Sequence, residues 1–563
     1  MRGTSQKTLP GHVFEAPAFL DSLRGKSMDW IGRIPVIGTI LSDLLASEHT
    51  RYRRYLDRED RRRRIAARIL TILALLTGFA YLVWVYYALN PAHPLVGAGF
   101  FIAEIACWLL FLLAGAGVWR MRHKPPEGLP ADHPFSVDVL IPTCGEAIAV
   151  IRKALEAAAA IQWHGTVRRI VLDDAGSDQV RYVAEQLGFR YLSRVTSGVE
   201  KTDGKGGNLN FGLRQGSGEL VLVLDADQIC RPEIVQVMAG YMRFARVAFV
   251  QSKQHYMVPV QDPFFNRDLV FYEAVQLGLD NSDSVISCGS GVLYRRAALE
   301  EIGGFATWNL VEDLTTSYEL HSRGWKSFYY PHALTAGLAP GDIWGVYQQR
   351  GQWALDTMRL FYWDNPLFKK GLTWLQRLGY LIIGFSYGCA ALIFPFFFLV
   401  PIWSYLTGET VLIRPEIEFL IIRGSYFLAM AGALHYLFRK RSPGRQFQML
   451  AGLFPVYLAG ALRALVYPPG RKPAYRVNNP AHASRPKRPV LLAVLPQLLL
   501  AVANAVLPFY ALWAGTASSR LLFANAFISA VAIWSLWQVL AASLGRKYWR
   551  VEEDPRLVYG VEK

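Results

Sequence analysis

The sequence predicts an α/β domain inserted into an all-α, polytopic membrane domain of about six transmembrane helices, accompanied by interfacial amphipathic helices. Three observations predict it. Long apolar runs, almost free of charge, lie two before and four after a more polar central stretch. Basic residues gather beside these runs rather than inside them. Within the central stretch, short β-rich segments alternate with helical ones.

The apolar runs come first. Hydrophobic residues make up 52% of the chain and charged residues only 18%, too apolar for an ordinary soluble enzyme of this length. A bilayer core takes about 20 apolar residues in a helix. Runs 69–89, 378–403, 490–513 and 521–544 meet that length with no charge. Run 95–119 carries Glu104, and run 419–438 carries Arg423 and His435. A single such run is as well explained by a buried core helix; six together are not.

The charge flanks follow. Arg61 to Arg64 precede the first run, and Arg120, Arg122 and Lys124 follow the second. Arg439, Lys440 and Arg441 follow the fourth, Lys487 and Arg488 precede the fifth, and Arg546 and Lys547 follow the sixth. The opposite loops, 91–94, 407–418 and 514–520, hold few basic residues. Positive charge is retained on the cytoplasmic side. The expectation is a multi-pass inner (plasma) membrane protein with both termini and the central domain cytosolic. The net charge of +16 then belongs to the bilayer surface, and no nucleic-acid partner is expected. The first 60 residues are polar and mixed, so no cleavable signal peptide is expected. The five cysteines, Cys107, Cys144, Cys230, Cys288 and Cys389, show no CxxC spacing and predict neither a zinc site nor disulfides.

These signals divide the chain into a cytosolic amino-terminal segment (1–64), a transmembrane hairpin (65–119), the cytosolic α/β domain (123–340) and interfacial helices (341–376). Two spans (377–438), an interfacial helix with a following loop (446–488), two further spans (489–544) and a cytosolic tail (545–563) complete it. Strands are expected at 137–143, 169–172, 220–224 and 247–251, with helices at 151–161 and 179–187 between them. Such alternation predicts a parallel sheet covered on both faces, with ligands at the carboxyl ends of its strands. Segments 343–362 and 447–466 place aromatic residues at helical spacing among polar ones, as amphipathic surface helices do.

Acidic residues stand at the predicted strand ends. Asp173 and Asp174 open a Gly turn and can accept hydrogen bonds from a base and ribose. Asp225 and Asp227 can hold a hard divalent cation through oxygen, bridging a diphosphate. Lys205 beside Gly206 and Gly207 can approach phosphates closely. Glu312 and Asp313 offer a general base for an attacking hydroxyl. Trp353, in the run Gln349-Arg350-Gly351-Gln352-Trp353, offers a flat face to a sugar ring. Each feature taken alone has an ordinary reading: a turn, an acidic helix start favoured by the dipole, or an interfacial tryptophan. Their order and spacing distinguish them.

PTCGE at 142–146, DDAGSD at 173–178, KGGNLN at 205–210 and DAD at 225–227 are followed by SCGSGVLYRRAAL at 287–299, VED at 311–313, LHSRGWKS at 320–327 and QRGQW at 349–353. In this order the set resembles the processive family 2 membrane glycosyltransferases, in particular the bacterial cellulose synthase catalytic subunit and its β-glucan (cellulose, curdlan or mixed-linkage) synthase relatives. The resemblance covers roughly residues 137–544. It implies a GT-A-type nucleotide-sugar transferase domain and a single inverting displacement. A terminal glucan hydroxyl would attack C1 of UDP-glucose, and the β-glucan would pass out through the spans. Thr143, Glu146 and Asp174 would line the uridine end of the donor with Asp173 beside them, and Lys205 would face the phosphates. Asp225 and Asp227 would hold Mg2+ or Mn2+. Asp313 would be the base. Cys288, Gly289 and Ser290 would lie near the acceptor terminus, with Gln349 and Trp353 beneath it. The implied partners are a UDP-sugar donor, the growing polysaccharide and the lipid bilayer; accessory subunits are not specified.

The chain also departs from the family pattern. Tyr475, Val477 and Asn478 stand in a loop resembling the family's gating motif FxVTxK, with Pro480 at its Lys position. Gln352 stands where the family's QxxRW motif has Arg, and Gln228 where His often follows DxD. The short segment 545–563 holds no β-barrel of the kind that binds cyclic di-GMP in bacterial cellulose synthases, so regulation by that ligand is not expected. Other readings are a synthase of mannan, chitin or mixed-linkage glucan, a non-processive transferase to lipid and, in a different class, a transporter or inactive scaffold.

Overall fold

The computed structural model describes residues 58–119, 133–258, 262–414, 416–439, 441–473, 489–516 and 518–545. Within these, the central stretch forms an eight-stranded sheet in the order β3-β2-β1-β4-β7-β6-β8-β5. The strands are β1 (Val137–Thr143), β2 (Val167–Asp173), β3 (Arg190–Leu192), β4 (Leu220–Val223), β5 (Ile229–Cys230), β6 (Val247–Met257), β7 (Val292–Arg295) and β8 (Lys326–Leu338). Every residue of β1 and β4 is buried. A continuous apolar run is what a strand covered on both faces requires. The one charge in β1, Asp138, is fully buried and neutralised by Arg296 at 2.7 Å, with the Gly218 amide donating to it at 2.7 Å.

The sheet is mixed rather than parallel throughout. β1, β2, β3 and β4 run parallel, but β7 runs antiparallel to both β4 and β6. The reason is local. The chain reaches β7 from residues 287–291, which already lie at the carboxyl edge, so β7 must start there and run back. Gly291 fixes the entry: its amide donates to Val223 and its carbonyl accepts from Ser252. This reversal brings a second loop onto the edge where β1, β2 and β4 end.

Among the described residues, six helical stretches are long and apolar enough to cross a membrane: Arg62–Ala88, Pro94–Gly117, Trp374–Thr407, Ile417–Leu437, Val490–Trp513 and Leu521–Leu544. They coincide with the six expected runs. The third is interrupted by a π turn at Cys389–Ile393, just before Pro395. The two charged blemishes of the sequence meet each other. Arg423 donates to Glu104 and to the Tyr81 hydroxyl, and Tyr81 donates to Glu104 at 3.0 Å. Pairing across helices is how charge is tolerated at membrane depth.

The expected helix at 447–466 is two helices, Pro443–Gly452 and Phe454–Val466, bent by 57°. Pro455, in the first turn of the second, has no amide to continue the first helix, so it starts a new one. Helix Ile343–Trp363 forms as expected, its first turn capped by Asp342, which accepts from Gly345 at 2.6 Å. All five cysteines are free.

Candidate active site

The carboxyl ends of β1 and β2 lie side by side, with Thr143 paired to Asp173. The two acids at the end of β2, Asp173 within it and Asp174 just after, face opposite ways. Asp173 is fully buried and accepts from Thr143 Oγ1 (3.0 Å), Ala175 N (2.9 Å), Ser177 N (2.7 Å) and Tyr191 Oη (2.8 Å). With every oxygen occupied it holds the turn, beside Thr143 and Asp174. Asp174 lines the cavity and is gripped by both ends of the Arg194 guanidinium at 2.9 and 2.6 Å. Arg194 also donates to Thr202 and Gly204, tying Asp174 to the loop before Lys205. No motif marks Arg194 in the sequence; only its bidentate geometry does. Glu146 accepts from Cys144 N at 2.7 Å, and burial, with the nearby Asp225 and Asp173 charges, raises its pKa.

Beyond β4, Asp225, Lys205, Glu312 and Asp313 form one cluster. Lys205 Nζ lies 2.6 Å from Asp225 and 3.1 Å from Glu312, and donates to Gly289 O at 2.8 Å. Burial lowers its pKa, but Asp225 and Glu312 outweigh that and hold the ammonium well above its usual range. Asp313 heads helix Glu312–Ser322 and accepts from Leu314 N at 2.6 Å. Burial and the adjacent Glu312 charge push its pKa up to about 8, with Lys205 opposing. A carboxylate poised there near neutrality is suited to accept a proton. Asp227 is pushed up to about 7 by burial and by Asp225.

The loop 288–291 closes over this cluster. Gln251 and Gln254, on β6, donate to Ser290 O at 2.9 and 2.7 Å, and Gln251 accepts from Cys288 N at 2.7 Å. Neither glutamine stood out in the sequence. Ser290 is fully buried and its hydroxyl accepts from Asp225 N at 2.9 Å. It therefore positions Asp225. Gly289 adopts φ +72°, and a Cβ there would lie 3.0 Å from both Asp313 Oδ2 and Lys205 Nζ. Gly289→Ala is therefore expected to lower kcat by about 100-fold by displacing the Asp313 carboxylate, with the thermal midpoint moved by a few degrees only. Steady-state rates beside a melting curve check it.

A cavity of about 1040 Å³ joins these groups. Thr143, Glu146, Asp174, Lys205, Asp225, Asp227, Asp313, Cys288, Gln349 and Trp353 line it. It continues among the apolar helices past Glu104, Phe397, Arg423, Phe427, Phe527 and Trp534. Arg350 is committed to Asp268, at 2.9 and 2.8 Å, and its guanidinium stacks over Trp353 at 4.6 Å. It thus orients Trp353 rather than replacing the cation missing at Gln352. Asp356, missed in the sequence, is pushed up to about 7 by burial. Its carboxylate accepts from Leu310 N and Val311 N, just before Glu312 and Asp313. Tyr475, Val477 and Asn478 lie outside the described residues.

Among the described residues no group of three or more His, Cys, Asp or Glu side chains forms a metal cage. Asp225 and Asp227 nevertheless fit a divalent cation that also takes oxygens from a bound phosphate. Asp225 already draws the Lys205 ammonium, and the buried Gln228 Oε1, on the cavity wall beside the pair, has no hydrogen-bond partner among the described residues.

Comparison with known proteins bears on this arrangement. Residues 133–355 match the model of the glycosyltransferase-like family 2, and residues 299–437 that of cellulose synthase. The chain is 32% identical over 331 residues to the cellulose synthase 1 catalytic subunit (UDP-forming) of Komagataeibacter xylinus, covering 55% of this chain and 44% of that one. It is 33% identical over 316 residues to the cellulose synthase catalytic subunit (UDP-forming) of Xanthomonas axonopodis pv. citri, covering 53% and 42%. The chain thus spans less than half the length of these curated relatives. A mannosyltransferase from Pyrobaculum calidifontis aligns over 66% of this chain and 99% of its own, at 20% identity and a TM-score of 0.48. The mixed sheet flanked by six apolar helices, with the family 2 match upon it, agrees with the expected GT-A-type architecture.

Proposed function

We propose, from the family 2 glycosyltransferase match over residues 133–355, that this chain is a processive, inverting glycosyltransferase polymerising glucose from UDP-glucose into a β-glucan. The growing chain would leave through its own membrane helices. The observation that carries the reading is the continuity of one cavity from the acidic strand ends, past Asp313 and Trp353, into the apolar helices. A soluble transferase has no need of such a path.

In this reading Thr143, Glu146 and Asp174 receive the uridine end of the donor. Lys205, at the start of helix Gly204–Gln215, faces the diphosphate. Trp353 stacks beneath the terminal sugar of the acceptor, near Cys288 and Gln349. Asp313 takes the proton of the acceptor hydroxyl as its oxygen bonds to C1, and the bond from C1 to the diphosphate oxygen breaks. Attack opposite the leaving group turns an α-linked donor into a β bond. Mg2+ or Mn2+, held by Asp225 and Asp227, would offset the charge developing on the departing diphosphate. The basic flanks of the spans support an orientation with the sheet domain and both termini on the cytosolic side of the inner membrane.

The test is synthesis by the full chain in lipid vesicles from labelled UDP-glucose with Mg2+ or Mn2+. The expected result is a polymer degraded by β-glucanases, lost with EDTA and restored by the metal. Product from GDP-mannose or UDP-N-acetylglucosamine alone would replace glucan with mannan or chitin. No polymer from any donor would overturn the reading in favour of a lipid acceptor, a transporter or an inactive scaffold.

A further inference from the structure

Arg359 is the bulkiest fully buried side chain among the described residues, with none of its surface exposed. A buried guanidinium demands partners for every donor. Its nearest acid, Asp356, lies 3.8 Å away, beyond hydrogen-bond distance. The hydrogen bonds go to neutral oxygens in two separate places. Nη1 donates to Asn309 Oδ1 at 2.7 Å, in the loop before the base. Nε donates to Tyr467 O at 2.8 Å, and Nη2 to Pro468 O and Arg471 O at 3.3 Å each.

The second set by itself is a helix cap: these carbonyls follow helix Phe454–Val466, and a cation there suits the dipole. Capping does not account for the rest. Trp363 already donates to Ala464 O at 2.8 Å from the same helix face. The Asn309 contact serves no helix end. One turn before Arg359, Asp356 accepts from Val311 N at 2.6 Å and Leu310 N at 3.3 Å. Asn309 closes the circuit, donating to Asp356 O at 3.0 Å and to Thr315 Oγ1 at 3.3 Å, on the helix that begins with Glu312 and Asp313. One turn of helix Ile343–Trp363 therefore grips both the loop that presents the base and the segment after residue 466.

We infer that Asp356 and Arg359 are a positioning pair that holds the loop Asn309–Val311, and through it Asp313, in register with the segment Tyr467–Arg471. The inference rests on Asp313 being the base of the proposed transfer. It assigns the pair no contact with the donor. It also explains why the residue is Arg: only a planar fork reaches an amide oxygen on one side and carbonyls on the other.

The test uses the full chain in lipid vesicles with UDP-glucose and Mg2+, following UDP release and glucose incorporation. Asp356→Asn and Arg359→Lys are each expected to lower kcat about 100-fold, because a misplaced base loses that much, with KM for UDP-glucose almost unchanged. The double variant is expected to be no slower than the slower single one, since both act on one loop. Binding of UDP, measured by titration, reports that the variants are folded. Should Arg359→Lys fail to fold, Asn309→Ser cuts the same link with all charges in place, and the same drop in kcat is expected. Wild-type kcat in folded variants, or losses that multiply in the double variant, would overturn the pair. An inactive Asp313→Asn beside active pair variants removes this inference alone; an active Asp313→Asn removes the base assignment as well.

Discussion

Replacing Asp313 by Asn is expected to slow sugar transfer by about 100-fold to 10,000-fold, the size of a lost general-base contribution. Asn keeps the size of the side chain and can still accept from Leu314 N, so donor binding and folding survive. Measuring kcat beside UDP affinity checks it, and transfer at the wild-type rate would falsify the assignment. The pH profile is a second signature. Burial and Glu312 raise the Asp313 pKa to about 8, so kcat/KM should climb with pH and level off above about 8. Stability moves the other way. The folded pKa lies above the unfolded value, so the group's contribution is fully present below about 4 and is lost as pH rises toward about 8. The wild type should therefore lose melting temperature over that window, and Asp313→Asn should lose less.

Replacing Lys205 by Met has the other large expected effect, on both stability and rate. The ammonium neutralises Asp225 and Glu312 and donates to Gly289 O, while Glu312 is only 4% exposed. Removing one partner of a buried pair leaves an uncompensated charge, here about 3 kcal/mol of lost stability. The rate should fall as well. Without the cation, the Asp313 carboxyl is harder to ionise, so the alkaline plateau should move to higher pH. Lys205→Arg should keep part of the stability but not the rate, since its fork cannot occupy the place of a point charge. Denaturant melts and pH–rate profiles of both variants check this. A Met variant with an unshifted limb would show that Lys205 does not set the base.

Much of the site was legible from the order and spacing of its motifs rather than from any residue alone. Asp174, Asp225, Asp227 and Asp313 line a shared cavity with Lys205, Cys288, Gln349 and Trp353. The division of labour within each motif was not legible. Asp173 and Asp174 are neighbours of the same type, yet one holds a turn and the other faces the cavity. Strand alternation sends neighbours to opposite sides, but which side is which depends on what packs there. Arg194, Gln251, Asp268, Asp356 and Arg359 carried no signal at all. Each acts on a partner far along the chain, and a lone polar residue in a helix or strand looks like solvated surface.

The sequence by itself determined the membrane helices, the strands that end in acids and the order of the motifs. These are properties of short segments: transfer free energy sums along a run, and strand and helix periods are local. Only the tertiary structure decided what those segments meet. It matched Arg423 with Glu104, turned β7 against its neighbours, and set Lys205 against Gly289, 84 residues away. Burial and charge pairing depend on distances through space, and these exist only once the chain has folded.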